Sequence, residues 1–97
     1  MKKAEIYKLM DLIEDIKKLD ELILLHQQLD TSDFMISQYE EKKTKQMGIL
    51  IDELASPPVR SIESYLLIKM LLNKYYPFKP EEQLIANSDI SKLAAVI

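Results

Sequence analysis

Cysteine is absent from this 97-residue chain. Disulfides, thiolate nucleophiles and cysteine-ligated zinc are excluded with it, and a secreted domain this small would often depend on disulfides. Tryptophan is absent too, and glycine occurs once, at Gly48. A β-rich domain of this length needs more glycine for its turns. There is no strongly basic segment: 13 basic and 16 acidic residues are interspersed, for a net charge of −3. The counterion-displacing stripe of a nucleic-acid binder is therefore missing. No uncharged apolar run approaches the roughly 18 residues that cross a bilayer; the closest, Ser64 to Leu72, is broken by Lys69. The opening residues Met1-Lys2-Lys3-Ala4-Glu5 reach an acid too soon for a good signal peptide. Together these absences predict a cytoplasmic protein that stays off the membrane.

What is present favours helix. Hydrophobic residues make up 47% of the chain and charged residues 30%, a mixture that belongs to globular rather than disordered chains. Leu, Ile, Met, Lys, Glu and Gln dominate, and all favour helix. From Lys3 to Leu29 the apolar residues recur at helical spacing with no Gly or Pro. With Leu9, Ile16 and Ile23 at heptad position a, Leu12, Leu19 and His26 fall at d, and Ile6 and Ile13 at e. A stripe this broad meets more than one neighbouring helix.

Asp30-Thr31-Ser32-Asp33 reads as a tight turn with helix-capping residues. A second helix is predicted from Asp33 to Ala55, antiparallel to the first because the connection is short. Its middle, Glu40 to Gln46, is wholly polar and reads as a solvated face. Gly48 lies inside this helix, where it costs about 1 kcal/mol relative to Ala; it marks either a close approach of another helix or a weak spot. Ser56-Pro57-Pro58 ends the hairpin. Ser61 then caps a third helix, Ile62 to Tyr75, whose apolar residues run nearly all round. Such a helix is expected to be buried on most sides, more than a two-helix hairpin can cover. After Pro77, a short helix from Pro80 to Asn87 and a last one from Asp89 to Val96, capped by Ser88, complete the chain.

The chemistry-bearing residues do not assemble into a motif. His26 is the lone histidine, with no second His and no Glu three residues before it, so it reads as a hydrogen-bonded side chain on the packed face rather than a metal ligand or general base. The acids Asp11, Glu14, Asp15, Asp20 and Glu21 lie among lysines at helical ion-pair spacing. Tyr65, Tyr75, Tyr76 and Phe78 could stack bases, but no RNA-binding pattern accompanies them; core packing with a polar OH at the surface is the simpler account. The stretch Pro80 to Ile97 echoes a helix-turn-helix, yet its last helix is mostly apolar where base reading needs polar side chains.

The expected fold is all-α: a hairpin over residues 1–55, a proline-containing linker over 56–60, and a hydrophobic helix with short C-terminal helices over 61–97, all forming one helical-bundle domain. Its excess apolar surface predicts self-association, most simply a two-fold dimer. The functional expectation is a non-enzymatic helical protein–protein interaction module: a small adaptor, chaperone-like or regulatory protein. Leu9, Ile13, Ile16, Ile23, Tyr65, Ile68 and Leu72 are the candidate partner or dimer interface. The alternative is an antitoxin-like regulator that binds nucleic acid through the C-terminal echo. No catalytic residue, cofactor, metal or small-molecule substrate is assigned.

Overall fold

A computed structural model describes residues 2–29, 33–77 and 88–97 of the chain. Four helices are found among them: α1 (Lys3–Gln28), α2 (Asp33–Ala55), α3 (Ile62–Tyr75) and α4 (Asp89–Ala94). No strand occurs among the described residues. The expected turn at Asp30–Ser32, the expected helix at Pro80–Asn87 and Phe78 lie outside the described residues.

α1 forms because its 26 residues contain no helix breaker, and it turns a seven-residue repeat inward: Leu9, Ile16 and Ile23 are its buried residues. α2 answers with Lys43, Met47, Leu50 and Leu54, spaced alternately by four and three. The pair is antiparallel. Lys8 meets Glu53 at 3.0 Å near one end, Asp20 meets Lys43 at 2.9 Å further along, and the rings of His26 and Tyr39 lie 5.2 Å apart near the other end. Numbers rise on α1 as they fall on α2.

The connection to α3 follows from its prolines. The N–H groups of Val59 and Arg60 donate to the Ser56 carbonyl at 3.0 and 2.8 Å, and Pro57 and Pro58, which have no N–H, occupy the intervening positions. α3 then starts on a capping box. The Ser64 N–H donates to Ser61 Oγ at 3.0 Å, and the Ser61 N–H donates to Ser64 Oγ at 2.7 Å, so two otherwise orphaned donors are satisfied reciprocally. α3 runs back along α2, so that Tyr75 and Tyr76 at its end come beside Lys43 and Thr44.

The core is one cluster of Leu9, Ile16, Met47, Leu50, Leu54, Leu71 and Tyr75. Ile16, Leu50 and Leu54 are its most completely enclosed members. Each such side chain contributes about 1.5–3 kcal/mol by leaving water. Most of the core comes from the hairpin, and α3 adds one face to it.

Two expectations are corrected here. α3 is not buried on most sides: Ser64, Leu71 and Tyr75 face the hairpin, while Ile62, Leu66 and Met70 stay exposed. The block Glu40 to Gln46 is not a uniformly solvated face either, since Lys43 is only 8% exposed. Among the described residues nothing lies within 4 Å of where a Cβ on Gly48 would stand, so no described helix approaches it closely. The last helix begins where Ser88 accepts the Ser91 N–H at 3.1 Å and closes at Ala94, short of Val96.

Candidate interaction surface

Two faces of α3 are apolar, and the hairpin takes one of them. Ser64, Leu71 and Tyr75 recur at intervals of seven and four and face inward, with Leu67 and Ile68 partly covered beside them. On the other side Ile62, Leu66 and Met70 recur at intervals of four, at 81%, 55% and 66% exposure. Side chains four apart stack along one face of a helix, so these three form a continuous outward ridge. Tyr65 flanks it, also more than half exposed.

Beside the ridge runs a groove of about 340 Å³ between the first half of α1 and the first half of α3. Ile6, Met10 and Ile13 form one wall, Leu67 and Glu63 the other, and Leu54 and Val59 lie between. Met10 on the α1 lip is itself more than half exposed. The groove exists because α3 packs chiefly on α2, leaving α1 and α3 apart at this end. It is lined mainly by hydrocarbon, with Ser61, Glu63 and Ser64 as the polar side chains at its edge.

The candidate interface residues divide between these environments. Leu9, Ile16 and Ile23 are buried within the chain, so the hairpin and α3 already use their apolar surface. Ile13 and Ile68 are half-buried against the same core. Tyr65 and Leu72 are exposed. The structure therefore does not gather the seven into one patch. Leu66 and Met70, the most prominent exposed residues in the middle of α3, were not among them. Their signal was present in the sequence: a helix apolar all round must turn one side outward when its neighbours cover only the other.

A second feature is a buried cation. Lys43 Nζ donates to Asp20 Oδ1 and to the Tyr75 carbonyl, each at 2.9 Å, and lies 4.5 Å from the centre of the Tyr76 ring. The Tyr75 carbonyl belongs to the negative end of α3, where a cation is favourable. Thr44 Oγ1 and the Tyr76 hydroxyl share a hydrogen bond at 3.1 Å, joining the same two helices again. A cleft of about 380 Å³ opens here, lined by Ile23, Glu40, Lys43, Thr44 and the two tyrosines. Lys43 lies seven residues before Leu50 and four before Met47, in register with the core. That register was the available signal, and the polar neighbours on either side obscured it.

The remaining chemistry-bearing residues are dispersed. Asp11, Glu14 and Asp15 are exposed on α1. Among the described residues no three His, Asp or Glu side chains converge on a point that could hold a metal ion. His26 is half-buried and packs its ring, tilted by 39°, on Tyr39. Tyr75 and Tyr76 adjoin Lys43, whereas Tyr65 belongs to the exposed side of α3. Among the described residues no helix is long and apolar enough to cross a membrane. No protein family, curated protein or solved structure matches this chain.

Proposed function

We propose that this protein is a non-enzymatic, cytoplasmic helical interaction module that works by docking another helix or helical surface on α3. The observation that carries this reading is the exposed ridge of Ile62, Leu66 and Met70 on the side of α3 away from the hairpin. Contiguous exposed apolar surface on a small domain marks an interaction site more often than chance placement does. The groove next to it supplies the concavity that an anchoring side chain needs. An adaptor or regulator acting through such a surface needs no reactive group, only a rigid platform, and the α1–α2 hairpin provides one.

The test is a comparison of the native chain with Leu66→Asp and Met70→Asp variants in recovery of bound partners from the source cells. Helicity and thermal unfolding of each variant are followed alongside. The reading expects both variants to fold and both to lose the partners that the native chain retains. Partners retained equally by folded variants would place binding elsewhere and reject the reading.

A further inference from the structure

Glu63, Leu67, Met70 and Lys74 follow one another on α3 at intervals of four, three and four, with Leu66 three after Glu63 and four before Met70, so they lie along one stripe of the helix. The stripe begins with an acid, continues with hydrocarbon and ends with a base. Glu63 lies in the first turn and Lys74 in the last, and both are exposed. Leu67 and Glu63 also form one wall of the groove against α1.

We propose that this stripe and the groove beside it are covered by α3 of a second copy of the chain, lying antiparallel across it. The inference rests on the reading of α3 as the interaction surface and names its occupant. The charge order selects the occupant and its direction. Antiparallel pairing sets Glu63 of each copy against Lys74 of the other, whereas parallel pairing sets acid on acid and base on base. The two helix dipoles also oppose each other in the antiparallel arrangement.

That register is centred between Ile68 and Lys69, and it brings Met70 of the second copy opposite Leu67, at the mouth of the groove. Met is unbranched and adapts to irregular apolar gaps. The groove, about 340 Å³, is roomy enough to admit its side chain. Area gives the same answer. An exposed ridge on one helix is a patch of at most several hundred Å², below the ~800 Å² per partner of a standard interface. Seating Met70 in the groove draws Ile6, Met10 and Ile13 of α1 into the contact and brings the buried area toward that size. The two-fold axis does this at both ends at once.

The experiment uses the full chain. Because it has no cysteine, single introduced cysteines report on pairing without background. Light scattering across micromolar to millimolar concentrations is expected to give twice the chain mass, and Met70→Asp is expected to give a helical monomer. A mixture of Glu63→Cys and Lys74→Cys chains is expected to form a mixed disulfide, and neither variant alone a dimer disulfide. Glu63→Lys weakens the dimer about tenfold by turning two attractions into repulsions, and Glu63→Lys/Lys74→Glu together restore it. A native chain that stays monomeric throughout overturns the self-pairing. If its partners are nonetheless lost on Leu66→Asp, the interaction-module reading survives with a different occupant. A dimer that crosslinks through Glu63→Cys alone, or that ignores the charge reversals, overturns the antiparallel register.

Discussion

The ammonium group of Lys43, in the middle of α2, holds the carbonyl oxygen of Tyr75, the last residue of α3, at 2.9 Å. One side chain thereby ties together all three long helices, since the same nitrogen also donates to Asp20 on α1. The four-carbon stem lies in the core register of α2 and the charge meets its partners at the core's edge. A hydrogen bond that involves a charged group contributes about 1.5–3 kcal/mol, and its removal leaves the Tyr75 carbonyl and the Asp20 carboxylate without this donor.

Lys43→Met keeps the stem and removes the charge, and it is expected to lower stability by about 2 kcal/mol. Lys43→Asp would place a second carboxylate beside the partly buried Asp20 and remove the same two hydrogen bonds, so the expected loss is larger than that of Lys43→Met, about 2–3 kcal/mol. Urea unfolding monitored by helicity measures both. A loss for Lys43→Asp within the ±0.5 kcal/mol or so typical of surface substitutions would show that the clamp does not form.

Gly48 offers the opposite sign. It is exposed in mid-α2, and among the described residues nothing lies within 4 Å of where its Cβ would stand. Gly48→Ala is expected to raise stability by about 1 kcal/mol, from helix propensity and the reduced freedom of the unfolded chain. An unchanged or lower unfolding midpoint would mean that the space over Gly48 is occupied in solution.

The two sides of α3 are expected to respond differently to the same change. Ile68 is half-buried against the core and Leu66 is exposed. Ile68→Asp forces a charge toward hydrocarbon and should unfold the chain or nearly so, whereas Leu66→Asp should leave helicity and cooperative melting intact. In the hairpin, Ile16→Ala opens a cavity at a fully enclosed site and should cost about 2–5 kcal/mol. Circular dichroism melts of the three variants decide the matter. Loss of folding in Leu66→Asp would mean that the outward ridge of α3 is part of the core after all.

Helix type and extent were legible in the sequence wherever local chemistry alone decides them. The bounds of α2 and α3 and the caps at Ser61 and Ser88 follow from breakers and hydroxyl-bearing residues a few positions away. The buried set of Leu9, Ile16 and Ile23 follows from their repeat. What could not be read locally was the division of α3 into a covered and an uncovered side. Both sides are apolar, so periodicity carries no contrast, and only the position of the hairpin distinguishes Leu71 from Leu66. Lys43 failed for a related reason. Its burial depends on an acid far back on α1 and a carbonyl at the end of α3, and neither is visible in the run of charges around it.

The antiparallel closure of α1 on α2 has a kinetic consequence. Four residues separate Gln28 from Asp33, and ends so near in the chain meet on the order of 10–100 ns. α3 docks chiefly on α2, and its Leu71 and Tyr75 join a core to which both hairpin helices contribute. The hairpin is therefore expected to form first, with α3 docking on it afterwards. In stopped-flow refolding, Leu50→Ala is expected chiefly to slow folding, and Leu71→Ala chiefly to speed unfolding. During synthesis the same order lets residues 1–55 pair while the ribosome still holds the rest, so the outward ridge of α3 emerges only once a scaffold is ready for its other side.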